Sequence, residues 1–302
     1  MGTPEFAVPS LEVLINHGFE ICAVVTGPDK PRGRGQEVLP TPVKQAALRH
    51  HLNVVQPVSL KDPSFVDVVR ALHPDLIVVV AFRILPKEVF ALPRLGAFNL
   101  HASLLPRYRG AAPINWAIIN GEAETGVTTF LLEEKVDTGR LLFQVRVPIA
   151  ADDNAGTIHD RLASEGADLV LRTVRAIERG DVRPLPQNDS LASPAPKIFK
   201  EQCRIRWDRP AESIHNLIRG LSPTPGAFTE YAGKTLKVYR SQILDASSSE
   251  APGTIDVSGP WLRVHTGDRL LSILEIQQEG KSRMGVEDFL RGFRFTSTGK
   301  MS

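Results

Sequence analysis

Leu76-Ile77-Val78-Val79-Val80-Ala81 is an almost unbroken aliphatic run. It fits a central parallel strand whose two faces are both covered. Helical and strand patterns alternate on either side of it. Before it come a helix over Pro9 to Asn16, a buried strand over Glu20 to Thr26, a helix over Pro42 to His50, a short strand at Val54-Val55 and a helix over Phe65 to Leu72. Pro42 is well placed near a helix start. After it come a strand over Ala97 to His101, a helix over Ile114 to Asn120, and strands over Gly126 to Leu132 and Leu141 to Val147. A long helix follows over Thr157 to Arg179, with Ile158, Leu162, Leu169, Val170, Val174 and Ile177 along one side. Gly166 falls in that row and permits close packing. Alternation of this kind predicts a doubly wound, mostly parallel α/β sheet. Met1 to Phe6 resembles the turn that follows a first strand and leads into the first helix, yet no such strand is in the sequence.

The pattern changes after residue 183. Pro184 to Pro196 is rich in Pro, Ser, Asn and Ala and reads as a linker. Beyond it, one helix over Ala211 to Gly220 precedes short strands at Ala227–Tyr231, Thr235–Ser241, Gly253–Val257, Leu262–Thr266 and Leu270–Gln277. Short strands punctuated by turn residues suggest a small β-barrel. The expected domains are therefore 1–183 and 197–302. A chain of 302 residues suits two domains of ordinary size.

Composition narrows the class. With 42% hydrophobic and 23% charged residues, the chain reads as globular. Cys22 and Cys203 are too few for a disulfide framework, and no Cys/His cluster has zinc spacing. Cys22 lies in an apolar run and is expected to be a buried, inert thiol. These features suit a reducing, cytoplasmic compartment. The apolar runs are too short to span a bilayer, and no secretory signal is visible. From Lys197 onward, 16 Lys and Arg face 12 Asp and Glu, a balance of +4, whereas the preceding residues carry −2. That asymmetry permits a polyanionic partner, and equally an ordinary solvated surface.

The densest chemistry lies in Ala97-Phe98-Asn99-Leu100-His101-Ala102-Ser103-Leu104-Leu105-Pro106-Arg107-Tyr108-Arg109-Gly110. Asn99 and His101 are two apart on a strand and share a face. They sit near its carboxyl end, where open α/β sheets place ligands. An amide beside an imidazole can stabilise charge developing on a carbonyl oxygen. The pair would equally satisfy hydrogen bonds where the strand emerges, and spacing alone leaves both readings open. Asp137, in Asp137-Thr138-Gly139, is either a turn residue or a partner that orients His101 and holds it cationic. Lys30, Arg32 and Arg34 make the loop from Gly27 to Gln36 basic. It lacks the glycine order of a dinucleotide site. It suits phosphate contacts, or a mobile solvated loop.

Taken together, these motifs resemble those of the methionyl-tRNA formyltransferases, a branch of the folate-dependent formyltransferase family. The matching pieces are Met1-Gly2-Thr3-Pro4-Glu5-Phe6-Ala7-Val8-Pro9, Pro28-Asp29-Lys30-Pro31-Arg32-Gly33-Arg34-Gly35, Asn99 through Ile114, Glu124-Thr125-Gly126-Val127-Thr128, Asp137-Thr138-Gly139 and Pro196-Lys197-Ile198. They keep the family's order over nearly the whole chain. The resemblance implies a Rossmann-like catalytic domain of formyltransferase type and a C-terminal barrel of OB type. It implies a catalytic set of Asn99, His101 and Asp137. Ser103, Leu104, Leu105 and Pro106 match the segment lining the folate site, and Phe82, Ile84 and Leu85 the loop covering the pterin. Lys30, Arg32 and Arg34 match a loop that enters the acceptor end of tRNA. The implied cosubstrate is 10-formyltetrahydrofolate, with no metal, and the implied partner is methionyl initiator tRNA, bound by a monomer. Two departures stand out. Members usually begin with a short apolar strand before Met-Gly-Thr-Pro, and Ala81-Phe82-Arg83-Ile84-Leu85-Pro86 is one residue shorter than the common form. The rival readings are a formyltransferase for a small amine, a formyl-folate hydrolase, and a non-catalytic RNA-binding protein.

Overall fold

The computed structural model describes residues 1–32, 37–296 and 299–302. Contacts divide them into two units. The first comprises Met1–Gly110, Thr125–Pro148 and His159–Ala195; the second comprises Ala111–Glu124, Ile149–Ile158 and Pro196–Ser302.

In the first unit the aliphatic run forms a strand at Ile77–Val80, parallel to the strand Ala97–His101. Ala97–His101 pairs antiparallel on its other side with Glu124–Leu131, which neighbours Leu141–Pro148. A separate parallel pair joins Val24–Val25 to Val54–Val55. Met1 and Gly2 lie between the two sets. Gly2 N donates to Val25 O at 3.0 Å, Val80 N donates to Met1 O at 2.9 Å, and Gly2 pairs in parallel with Val80. These two residues thus occupy a strand position between Val25 and Val80. The Met1 ammonium donates to Val78 O at 2.6 Å, and its burial pulls the amine down to about 5. An apolar cavity of about 130 Å³ adjoins it, walled by Leu14, Cys22, Val24, Val43 and Val78.

Helices flank these strands. Pro42–Arg49 is capped by Thr41, whose hydroxyl accepts from Lys44 N, and Pro63–Ala71 by Asp62, which accepts from Ser64 N. Both begin with proline, where no N–H is needed. Helix Ala155–Arg179 presses Gly166 against Leu100: a Cβ there would lie 2.7 Å from Leu100 Cδ2. Close packing at Gly166 is therefore real. Cys22 corrects an expectation, because its thiol is exposed. Only Val24–Val25 of that apolar stretch is paired, so Cys22 is left on the cavity wall.

In the second unit, five antiparallel strands run in the order Ala227–Tyr231, Lys234–Ser247, Arg269–Gln278, Trp261–His265, Ile255–Ser258. Register shifts between Val238 and Ser247 bend the long strand. Ile214, Ile218 and Leu221, of and just after helix Ala211–Gly220, pack on Leu236, Leu262, Leu271 and Ile273 of the sheet. The second unit is thus a bent β-rich sheet, and among the described residues no pairing joins Ala227–Tyr231 directly to Ile255–Ser258. The C-terminal residues line both edges. Ser302 exchanges backbone bonds with Glu230, and Lys300 pairs with Thr254.

Two segments depart from the expected boundaries. Helix Pro113–Ile119 lies in the second unit, where Asn115 Nδ2 donates to Gly220 O at 2.8 Å and Trp116 Nε1 to Pro196 O at 2.7 Å. Its apolar face demands the cover that Ala211–Gly220 supplies. Residues 184–195, read as a linker from their composition, are bonded to the first unit. Pro194–Ala195 pairs with Arg109–Gly110, and Leu185 bridges Leu141.

Candidate functional site

Strand alternation decides which side chains of Ala97–His101 face the site. Phe98 and Leu100 are buried in the core, which turns Asn99 and His101 to the opposite face. Asn99 is half-buried, and its amide has no hydrogen-bond partner among the described residues. His101 is only 6% exposed. Its Nε2 lies 2.8 Å from Tyr108 O. A carbonyl only accepts, so Nε2 carries the proton and donates, and Nδ1 is left for other chemistry.

Nδ1 faces Asp137. Its distance to Asp137 Oδ2 is 3.9 Å, within ion-pair range but beyond a direct hydrogen bond. The same Oδ2 accepts from Gly110 N at 2.9 Å. Asp137 has φ +55°, a conformation Asp tolerates better than most residues. Its loop is confined from behind at Gly139, where a Cβ would sit 1.7 Å from Leu131 O. The loop is also held by a residue far along the chain. Gln187 Nε2 donates to Asp137 O at 2.9 Å and to Gly139 O at 2.8 Å. Gln187 Oε1 accepts from Arg109 Nη2 at 2.7 Å and Nε at 3.1 Å.

The turn after His101 is braced from inside. Ser103 is fully buried, and its hydroxyl donates to Arg107 O at 2.6 Å. Thr128 Oγ1 donates to Ser103 O at 2.6 Å and accepts from Leu105 N at 3.2 Å. Gln144 Nε2 reaches both Thr128 Oγ1 and Leu105 O. Leu105 is core, while Leu104 and Pro106 are half-buried. Leu104 lies over Gly126, where a Cβ would come within 2.5 Å of it. In the neighbouring loop, Leu85 belongs to the core with Leu60, Phe65 and Val89, and Phe82 packs against that cluster. Ile84 is 72% exposed. Arg83 ties this loop to its neighbour by donating to Pro57 O and Val58 O.

The basic loop is only partly in view. Lys30–Arg32 and Glu37–Leu39 form a two-stranded hairpin with Lys30 exposed. Its base is anchored at Asp29, which receives Lys44 and Gln56. Those bonds hold the Asp29 carboxyl below its usual range, with Lys44 the largest cause. Arg34 lies outside the described residues.

Two family models match the chain: "Formyl transferase" over residues 1–174 and "Formyl transferase, C-terminal domain" over 197–294. The chain belongs to the formyl transferase family. Among relatives of this formyl transferase is the methionyl-tRNA formyltransferase of Bacteroides fragilis, 48% identical over 311 residues, spanning 100% of this chain and 96% of the relative. The enzyme of the same name from Syntrophus aciditrophicus is 49% identical over 299 residues, spanning 98% and 96%. The fold is shared with an N-formyltransferase from Helicobacter canadensis solved with folinic acid and dTDP-3-aminofucose, at a TM-score of 0.66 and 21% identity, over 90% of this chain and 97% of that one. It is shared also with HypX from Aquifex aeolicus in complex with tetrahydrofolic acid, at 0.60 and 20%, over 80% of this chain and 43% of that one.

In this formyl transferase, periodicity placed Asn99 and His101 on one face, and the structure adds Asp137 within reach. Sequence reasoning missed Tyr108, Arg109, Thr128, Gln144 and Gln187 as supports. Thr128 had a readable signal, since it lies on a predicted strand. Gln187 had none, because its surroundings look like a linker.

Proposed function

We propose that this enzyme transfers the formyl group of 10-formyltetrahydrofolate to the α-amine of methionyl initiator tRNA, in cytoplasmic translation initiation. The observation that carries the reading is the His101–Asp137 arrangement beside the half-buried Asn99 amide, at the carboxyl end of the strand. The full-length likeness to enzymes named for this reaction supports the choice of acceptor.

The α-amine attacks the formyl carbon, forming a C–N bond and placing negative charge on the formyl oxygen. The Asn99 amide and the His101 Nδ1–H donate to that oxygen. The Tyr108 carbonyl fixes the ring through Nε2, and the Asp137 carboxylate complements the charged imidazole. When the bond from the formyl carbon to N10 breaks, the amine's surplus proton leaves through Asp137 and water to the departing nitrogen. Ser103, Leu105 and Leu85 have side chains committed to the interior, so this segment meets the folate through its backbone, with Leu104, Pro106, Phe82 and Ile84 offering side-chain surface. Lys30, Arg32 and Arg34 grip tRNA phosphates, and the C-terminal unit serves as an OB-type tRNA-binding module acting in a monomer.

The test is direct. Incubation with 10-formyltetrahydrofolate and charged initiator tRNA yields formylmethionyl-tRNA. Asn99→Ala and His101→Ala each lower turnover about 100- to 1,000-fold, while folate binding, followed at equilibrium, persists. Near-parental turnover in both variants overturns the assignment. Free formate from the parent would mark a hydrolase, and retained tRNA without product a binding protein.

A further inference from the structure

Residues 187–195 touch three residues that flank the His101–Asp137 pair: Tyr108, Arg109 and Gly110. Tyr108, whose carbonyl receives His101, donates its own N–H to Ser193 Oγ at 2.9 Å. Arg109 N donates to Ser193 O at 2.9 Å. Gly110, whose N–H binds the Asp137 carboxylate, lies beside Ala195 so closely that a Cβ would come within 2.6 Å of Ala195 O. The side chain at the centre of this strap is Gln187.

Its amide is saturated. The two Nε2 hydrogens go to the carbonyls of Asp137 and Gly139, and the two lone pairs of Oε1 go to the Arg109 guanidinium. The orientation is forced, because a guanidinium only donates and a backbone carbonyl only accepts. Arg109 is steadied in turn by Asp189 at 2.7 Å. Gln187 therefore links the backbone of the Asp137 loop to the Tyr108–Gly110 segment. These are the two pieces whose separation sets the distance from Asp137 to His101. No bond of Gln187 reaches the face on which Asn99 and His101 stand, so it acts through the Asp137 loop and the Arg109 side chain that it joins.

The geometry points to Gln187 as a positioning residue for the transfer reaction: its amide fixes the Asp137 loop so that the carboxylate faces His101 Nδ1. The inference rests on the reading of Asp137 as part of the catalytic set. Gln187→Glu is the sharpest probe, since it keeps size and the Arg109 partner but sets an oxygen against two carbonyls. Gln187→Leu removes all four bonds at similar volume. Misplacement of a reacting group by about 1 Å costs on the order of 100-fold in rate. Both variants are therefore expected to lose about 10- to 100-fold in kcat, with KM for tRNA within about twofold and the urea midpoint near that of the parent.

A double-mutant cycle separates positioning from mere structure. In an Asp137→Ala background, Gln187→Glu is expected to cost nothing further, because the group it positions is gone. An undiminished, additive loss in that background overturns the proposal. So does parental kcat in both single variants while Asp137→Ala is inactive. Near-parental turnover of Asp137→Ala itself would instead overturn the catalytic reading, and the positioning role with it.

Discussion

Thr128 has one hydroxyl and three partners: it donates to Ser103 O and accepts from Leu105 N and Gln144 Nε2. All of this happens at a fully buried position. Thr128→Val keeps the shape, leaves Leu105 N and Ser103 O without that partner, and removes one of the two bonds of Gln144 Nε2, which keeps Leu105 O. Each unsatisfied buried group costs about 1–3 kcal/mol, and some of that is recovered by relaxation. A net loss of about 2–3 kcal/mol is expected from urea unfolding. Because the affected turn carries the segment proposed to meet the folate, KM for 10-formyltetrahydrofolate should rise more than KM for tRNA. Unchanged stability with unchanged KM would show that the brace is not needed. At this scale the sequence was legible where periodicity operates. Two-residue alternation alone predicted that Asn99 and His101 share a face. It could not predict that Asp137 meets His101, because that contact closes only once distant segments pair. The surroundings of Gln187 were misread for a related reason: Pro, Ser and Asn mark irregular backbone, which in this chain is irregular and firmly bonded.

Helices with a clear period were read well, whether capped from their own flank or from a distance, and strands shaped by bulges or by distant pairing were not. Pro42–Arg49 and Ala211–Gly220 fall within a residue of their expected bounds. The hairpin Lys30–Arg32 with Glu37–Leu39 was not anticipated, since Pro31 argues against a strand and its antiparallel pairing becomes visible only in three dimensions. The strand Lys234–Ser247 runs well past its expected end at Ser241, because bulges let it bend and stay paired. Helix Ala211–Gly220 follows a proline and lacks a cap from its own flank. Asp268 supplies it from the strand region, accepting from Ala211 N at 2.7 Å. That bond, first among its causes, holds the Asp268 carboxyl below its usual range. The sign follows from linkage. A carboxyl lowered in the folded state adds stability above its unfolded value near 4 and loses it as pH falls through the lowered value. Asp268→Ala should therefore cost about 1 kcal/mol at pH 7. The gap from the parent should close toward pH 3. A gap that stays constant down to pH 3 would mean that the charge contributes nothing.

On the scale of the whole molecule, the two units are interleaved in sequence. The chain crosses between them at residues 110, 124, 148, 158 and 195. The sequence pattern alone gives consecutive blocks, because a helix such as Pro113–Ile119 carries no mark of which core it will join. Within the second unit, Gly220 permits that helix to close in: a Cβ there would lie 2.6 Å from Ile119 Cγ1. Arg219 Nη1 also donates to Asp153 O at 3.2 Å, so Ile149–Ile158 serves the same unit. Cutting the chain at residue 196 would remove both segments from residues 196–302. Ile218 and its neighbours on Ala211–Gly220 would then lose part of their cover, at about 1.5–3 kcal/mol for each large aliphatic side chain exposed. The complementary fragment would carry Ala117 and Ile118, both fully buried in the intact chain, with nothing from residues 196–302 to pack on. Both fragments, expressed separately, are expected to aggregate or to unfold at lower urea than the whole chain. Mixing them should restore a cooperative transition if the units reassemble. A fragment of residues 196–302 that unfolds cooperatively at the parental midpoint would show that the interleaved segments are passengers rather than parts of its core.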